Sequence, residues 1–179
     1  MHYLKTSLLL ASLFFAGTAS AEVAQADAAS FLVTHRIVVA ANGAESFKAI
    51  THPERWWNPE HTWSGNANNL RLDPRAGGCW CERWSGGQVE HGRVLFIKTD
   101  SLLRVSAALG PLQAMAVNAV LDFQLTPGKD GTQIELSYRV SGPASAKLDE
   151  IAPGVDKVLS EQVARLKSLL EPKAPAAKH

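Results

Sequence analysis

The sequence predicts an α+β domain in which a run of antiparallel strands precedes one long C-terminal helix. Three observations lead to this prediction. Apolar and polar residues alternate with a period of two in several short segments, as they do in half-buried strands. Residues 126–131, TPGKDG, have the composition of a hairpin loop between two such segments. Residues 153–170 instead carry apolar side chains at the spacing of an amphipathic helix.

The first predicted strand covers residues 30–40, and alternate residues share one largely apolar face: Phe31, Val33, His35, Ile37 and Val39. His35 is therefore expected either as a half-buried side chain bonded to a neighbour or as a polar group that lines a cavity. A short helix is predicted over residues 44–51. It ends before Pro53, because the residue that precedes a proline disfavours helical geometry.

The later strands are predicted on both sides of the hairpin loop and give a sheet of about six or seven strands: residues 70–72, 79–84, 88–98, 102–109, 114–125 and the segment up to Val140. Within residues 79–84, one face carries Trp80, Glu82 and Trp84, and the other carries Cys79, Cys81 and Arg83. The polar residues of 88–98 fall on both phases, so the pattern does not assign its inward face. Pro153 is acceptable in the first turn of the final helix.

The segment 52–91 is the predicted recognition region, because it contains all five tryptophans, both cysteines and three of the six histidines. An indole combines a large apolar surface with one N–H donor, so this cluster is typical of a lined pocket or a partner surface. The same rings can also simply fill the core. We expect a loop at 56–63 and the tryptophan face of 79–84 to form two parts of one cavity mouth. The candidate ligand-binding residues are Trp56, Trp57, His61, Trp63, Trp80, Glu82, Trp84 and Tyr138.

Four stretches resemble a bacterial branch of the SRPBCC superfamily: WWNPEHTWSG (56–65), LRLDPRAGGCWCE (70–82), VEHGRV (89–94) and ALGPLQ (108–113). The superfamily includes START lipid-binding domains, birch-pollen-allergen-like proteins, polyketide cyclases and heat-shock ATPase activator homologues. The resemblance covers essentially all of residues 28–171, which we predict to be the folded domain. It implies a helix-grip fold, in which a curved antiparallel sheet wraps around the C-terminal helix and leaves an apolar cavity between them.

The function we favour from the sequence is a binding protein that holds a hydrophobic or aromatic small molecule in this cavity. The alternative is an enzyme of the polyketide cyclase/dehydratase type, or a hydrolase, with Glu82, His61 and His91 as the catalytic candidates. A buried Glu82 beside two indoles would have a raised pKa, and a histidine could carry a proton near neutral pH. On the sheet surface, the same carboxylate would instead pair with Arg83, Arg93 or Arg104.

Metal and nucleophile chemistry find little support in the sequence. Zinc-binding residue types are present at His52, His61, Cys79, Cys81 and His91. The Cys-x-Cys spacing differs from the usual C-x2-C of zinc sites, so neither a metal nor another cofactor is expected. No G-x-S-x-G motif or phosphate-binding glycine fingerprint occurs. The two cysteines can be reduced structural thiols, a disulfide or reactive thiols.

The ends of the chain predict export. Residues 1–21 resemble a cleaved signal peptide, with Lys5, an apolar stretch at 8–16 and an A-x-A site before Glu22. That stretch is shorter than the roughly 20 residues of a spanning helix, so we expect a periplasmic or secreted protein without a stable membrane anchor. Residues 172–179 are predicted to be a disordered tail. Lys5 is one of 18 basic residues, so 17 remain against 17 acidic ones, and a nucleic-acid partner is not expected.

Overall fold

The structure is a computed structural model, and it describes residues 21–171. The predicted tail, and the predicted signal peptide apart from Ala21, lie outside the described residues. Within them, the chain forms two α-helices, α1 (Gly43–Ile50) and α2 (Leu148–Leu170). The strands are β1 (Ala21–Asp27), β2 (Ser30–Val39), β3 (Leu70–Leu72), β4 (Cys79–Trp84), β5 (Gly87–Lys98), β6 (Leu102–Ser106), β7 (Asn118–Gly128) and β8 (Gly131–Ser141).

All eight strands belong to one antiparallel sheet with the order β1-β2-β8-β7-β6-β5-β4-β3. Helix α2 packs mainly on β1 and β2, and the short helix α1 follows the first predicted strand. The predicted α+β fold class is therefore confirmed. The sheet contains one more strand than the upper prediction. The additional strand, β1, has the sequence AEVAQAD, in which the apolar alternation is too weak to predict a strand. Its antiparallel pairing with β2 makes it a strand of the sheet.

The core lies between the sheet and α2, and the alternation of β2, β7 and β8 predicts its inward faces correctly. On β8, for example, Ile134, Leu136, Tyr138 and Val140 are all buried. His35 is buried among these apolar neighbours, with 3% of its surface exposed. Its Nε2 lies 3.0 Å from Asp156 Oδ1 on α2, although the two groups are not aligned as a hydrogen bond.

Strand β5 changes its inward phase twice, which is why its sequence pattern does not assign a face. The register with β4 shifts between Trp80 and Cys81, and this shift leaves His91 as an additional residue. A second shift, in the register with β6, leaves Leu95 unpaired. Each β-bulge reverses the alternation that follows it. His91, Gly92 and Val94 are consequently all buried on one strand.

Several predicted boundaries differ from the structure. Strand β7 begins at Asn118 and continues to Gly128, so only residues 129–130 remain as the hairpin turn. Residues 110–114, next to the predicted start of this strand, form a 3-10 turn. Helix α2 begins five residues before its predicted start, because the fully buried Leu148 and Ala152 add a packed turn. Pro153 therefore lies inside the helix and not in its first turn.

Candidate functional site

A groove of about 430 Å³ opens between the first half of α2, the loop 57–63 and the turn 109–112. One residue of the sheet, Tyr138, forms part of its wall. Most of the lining is apolar, and the polar side chains belong to the loop. The lining residues are Trp57, Glu60, His61, Thr62, Trp63, Leu109, Gly110, Pro111, Leu112, Tyr138, Ile151, Gly154, Val155, Val158 and Leu159. This combination is typical of a small-molecule site.

Local sequence chemistry shapes the loop. Pro59 occupies the first position of a 3-10 turn (Pro59–His61), where its missing N–H costs no hydrogen bond. The Asn58 side chain caps this turn by accepting a hydrogen bond from the Glu60 N–H at 3.0 Å. The Trp57 indole Nε1 donates to the His61 carbonyl at 3.0 Å and closes the turn on itself. The sequence NPEH therefore forms a hydrogen-bonded turn that fixes the backbone of His61.

Helix α2 binds this loop through three polar side chains, of which only Gln162 is buried. The Asn58 N–H donates to Oε1 of Gln162 at 2.7 Å, and Gln162 is completely buried. Glu161 accepts from the Asn58 side chain and lies 3.2 Å from Nε2 of His61. One turn later, Arg165 Nε donates to the Trp56 carbonyl at 2.8 Å, so the groove's aromatic loop is fixed directly to the helix that forms its other wall.

Tyr138 supports the groove with a phenol group that is already fully engaged. Its hydroxyl donates to the Ala107 carbonyl at 2.8 Å and accepts from the Leu109 N–H at 3.0 Å. Burial raises the pKa of Tyr138, and the Leu109 N–H opposes this only in part. The phenol therefore remains neutral. It holds the 109–112 turn in place from the wall of the groove.

Glu82 and His91 form a buried pair behind the groove loop. His91 Nε2 lies 3.0 Å from Glu82 Oε2, and the two residues are 7% and 0% exposed, respectively. Glu82 also accepts from the Ser64 N–H at 2.6 Å and from the Trp63 N–H at 3.1 Å. Because an ionised carboxylate only accepts hydrogen bonds, we assign the proton of a neutral His91 to Nε2. The pair thus anchors the backbone of the residue whose indole lines the groove.

The charge states of this pair differ from the sequence expectation. Burial raises the pKa of the Glu82 carboxyl, but hydrogen bonds from Ser64, Trp63 and His91 lower it by more. The pKa is therefore below its ordinary value, and the expected raised pKa is wrong. Burial also lowers the pKa of His91 more than the neighbouring carboxylate raises it. The arrangement favours an anionic carboxylate with a neutral imidazole donor. The alternative of an arginine partner at the sheet surface is also wrong.

The first bulge of β5 makes this pair possible. His91 is the additional residue at the register shift and lies inward, while Gly92 occupies a crowded position beside β6. A Cβ on Gly92 would lie 2.5 Å from the Ser106 carbonyl oxygen, so no larger residue fits there without a backbone shift. The adjacent His91-Gly92 pair is the only local signal of the bulge in the sequence.

The structure separates the predicted ligand-binding residues into two groups. Trp57, His61, Trp63 and Tyr138 line the groove, and Glu82 contacts the loop from behind. Three tryptophans do not line it. Trp56 and Trp80 are core residues with 2% exposure, and the Trp84 ring covers the hairpin at Gly87.

Several lining residues were not among the candidates. The turn 109–112 and the helix residues Ile151, Gly154, Val155, Val158 and Leu159 contribute apolar surface without any distinctive chemistry. The stretch ALGPLQ, which contains the turn, is part of the superfamily resemblance and was the available signal. The helix residues could not be separated from ordinary core positions, because periodicity shows which face is apolar but not what it contacts.

The cysteines lie away from the groove, and the structure joins Cys79 to Cys81 in a disulfide. None of the histidines considered as zinc ligands forms a cluster with the two cysteines. Among the described residues, the only group of three potential metal-binding side chains is Cys79, Cys81 and Glu90, and its two sulfurs are bonded to each other. His52 instead contacts the Lys48 carbonyl at 2.7 Å. Neither helix within residues 21–171 has the length and hydropathy needed to cross a membrane.

Comparisons with known proteins identify the fold class. No protein-family model matches the sequence. No curated protein matches it. Solved structures do match: a protein from Mesorhizobium loti is 20% identical, covers 78% of this chain and 96% of its own, and has a TM-score of 0.57. CalU16 from Micromonospora echinospora is 17% identical over 90% of this chain and 88% of its own, with a TM-score of 0.55.

A third match is the di-domain ARO/CYC protein StfQ from the steffimycin biosynthetic pathway. It is 9% identical, and the match covers 80% of this chain and 51% of StfQ with a TM-score of 0.53. At such identities the likeness shows the fold alone. The eight-stranded antiparallel sheet, the short early helices and the long C-terminal helix are those of a helix-grip fold, and its candidate site is an apolar groove at the helix–sheet junction.

Proposed function

We propose that this protein binds a hydrophobic small molecule in the groove between α2, the loop 57–63 and the turn 109–112. The observation that carries the proposal is the groove itself, with a volume of about 430 Å³ and a mostly apolar lining. Small-molecule sites commonly have volumes of about 300–1,000 Å³ and a few polar groups that orient the ligand. Here, such groups come from one side only, the Glu60–Thr62 part of the loop.

The sequence resemblance supports placing this binding protein in the SRPBCC superfamily, whose helix-grip members hold ligands between sheet and helix. The signal-peptide pattern of residues 1–21 supports export to the periplasm or beyond. Export and superfamily membership both belong to the proposal. Neither is needed for the groove to bind a ligand.

An acid–base enzyme is the second candidate, because one histidine that lines the groove lies beside a carboxylate of α2. Nε2 of His61 is 3.2 Å from Oε2 of Glu161, and the ARO/CYC protein StfQ shares the fold. The buried Glu82–His91 pair supports this candidate less. Both carboxylate oxygens already accept hydrogen bonds, and neither residue lines the groove. We therefore rank binding before catalysis.

Filling the groove tests the proposal. A Cβ on Gly154 would meet no atom within 4 Å, so Gly154→Leu should extend a side chain into the groove without steric conflict. Leucine also has a higher helix propensity than glycine, so the helix should not weaken. We expect the variant to bind a fluorescent hydrophobic probe about tenfold more weakly than the original protein.

Lys157→Leu is the matched control, because it places the same side chain on an exposed position of α2, outside the groove. Its probe affinity should stay unchanged. Mass spectrometry of protein purified from its native host under non-denaturing conditions should also detect an apolar ligand, and Gly154→Leu should lose it. The binding proposal fails if no ligand copurifies and the probe binds both variants equally. Turnover that depends on His61 would favour the enzyme instead.

A further inference from the structure

The disulfide of β4 contributes little to holding the fold together. Cys79 and Cys81 are two residues apart, so the bond closes a minimal loop, and the chain entropy that a disulfide removes falls with loop length. The same strand is already paired with β3 on one side and with β5 on the other. Pairing within the sheet, and not the disulfide, therefore holds this strand in place.

Opposite charges face the two sulfurs from β5. Arg93 lies directly across from Cys79 in the sheet register, and Glu90 lies directly across from Cys81. Directly opposed residues of antiparallel strands project on the same face, so their side chains are neighbours. The Glu90 carboxylate lies within 4.8 Å of both sulfurs, and Arg93 pairs with it at 2.5 Å. A second nitrogen of Arg93 donates to the Gly77 carbonyl, which places the guanidinium on the Cys79 side.

The two cysteines also differ in solvent exposure, and Cys79, which lies beside the guanidinium, is the more exposed of the two. Cys79 is partly exposed, whereas only 8% of Cys81 is exposed. A guanidinium favours a neighbouring thiolate, and burial disfavours one. The Glu90 carboxylate lies near both sulfurs and does not distinguish between them. After reduction, Cys79 would therefore be the more acidic and reactive thiol, and Cys81 would retain its proton.

We propose that the Cys79–Cys81 bond is a thiol–disulfide exchange site for small thiols, with Cys79 as the sulfur that is attacked. A thiolate attacks Cys79 Sγ, the Cys79–Cys81 bond breaks, and its electron pair passes to Cys81 Sγ, which takes up a proton. A second thiolate attacks the bound thiol's sulfur and releases Cys79 as a thiolate. The protein gains two electrons and becomes a dithiol, and two small thiols become one disulfide. This activity is independent of ligand binding in the groove.

Exchange with glutathione tests the proposal on the unaltered protein. We expect millimolar reduced glutathione to open the native Cys79–Cys81 bond, as measured by alkylation and mass spectrometry, and oxidised glutathione to close it again. The proposal is overturned if the bond in the native protein resists glutathione while the urea-unfolded chain is reduced under the same conditions. It is also overturned if both cysteines remain free thiols after oxidation.

Single-cysteine variants test the asymmetry. In Cys81→Ser, the remaining Cys79 should react with iodoacetamide at neutral pH about tenfold faster than Cys81 does in Cys79→Ser. Adding Arg93→Gln to Cys81→Ser should slow the reaction several-fold and raise the pH at which it is half-maximal. Circular dichroism confirms that each variant is folded. Equal rates for the two cysteines, or no effect of Arg93→Gln in folded protein, would contradict the assignment of Cys79.

Discussion

The two halves of the tryptophan-rich segment contain similar residues but occupy different environments. The first half, residues 57–63, forms a loop that places Trp57, His61 and Trp63 at the groove. The second half, strand β4, buries Trp80 against the ring of Trp57, with the ring centroids 5.1 Å apart. It also carries Glu82, whose carboxylate holds the loop from behind. Trp63 is 57% exposed, whereas Trp80 is 2% exposed.

Under the proposed binding function, the two halves divide recognition from support. A strand between two neighbours fixes its backbone by ladder hydrogen bonds, so its inward side chains become core. A loop has no ladder, and its side chains can remain available to a ligand. The β4 half thus holds the loop half in position. Substitutions in β4 should therefore change stability, and substitutions at the exposed loop positions should change binding.

The largest expected effect is the loss of stability in Trp80→Ala. The indole is buried between Trp57 and the imidazole of His91, and removing it leaves a large cavity. We expect the free energy of unfolding to fall by about 4 kcal/mol in urea denaturation. Trp80→Phe should restore most of this, because the Trp80 N–H has no hydrogen-bond partner within residues 21–171. A loss below 1 kcal/mol in Trp80→Ala would break the comparison.

Glu82→Gln should have the next largest effect. The amide keeps one oxygen acceptor but cannot accept from Trp63, Ser64 and His91 as the carboxylate does, so buried donors lose their partner. We expect a loss of roughly 2–3 kcal/mol in the free energy of unfolding. The matched control is Glu135→Gln, which breaks an exposed pair with Arg36 and should cost less than about 1 kcal/mol. An undiminished stability together with lost turnover would instead make Glu82 catalytic.

Acid should weaken the β4 half through the same pair. The folded pKa of His91 lies below the ordinary 6.5, so between these two values the unfolded chain binds more protons and stability falls as pH decreases. The lowered pKa of Glu82 adds a further loss below its ordinary 4.5. His35, which burial shifts in the same direction, contributes to the first decline. His91→Gln keeps a donor without titrating, so it should reduce the fall in the urea midpoint between about pH 7.5 and 5.5 to the part that His35 causes. A stability that rises on acidification would contradict the assigned charge states.

The smallest effect on stability is expected for Trp63→Ala. Most of this indole is exposed, so the free energy of unfolding should change by less than about 0.5 kcal/mol. Probe binding to the groove should nevertheless weaken, and Trp63→Phe should recover part of the affinity. If binding is unchanged while stability falls, Trp63 belongs to the support and not to the recognition surface.

Much of this outcome was predictable where local patterns are strong. The alternation in β2, β7 and β8 predicts their buried faces, and the apolar stripe predicts α2 to within five residues at its start. The candidate site was predictable only in part. His61 and Trp63 stand out by residue type, whereas Leu112, Val155 and Leu159 look like any core residue. Their position at a groove depends on which elements meet there.

The sequence by itself determined the order of the elements from β2 to α2, the inward faces of the regular strands and the concentration of tryptophan, cysteine and histidine in residues 52–91. Only the tertiary structure decided how that segment divides. A one-residue register shift in β5 directs His91 inward beside Glu82, and this pair holds the loop through two backbone N–H groups. A bulge depends on pairing between strands and leaves almost no local pattern. The division between a supporting strand and a loop at the groove therefore emerges only when the sheet forms.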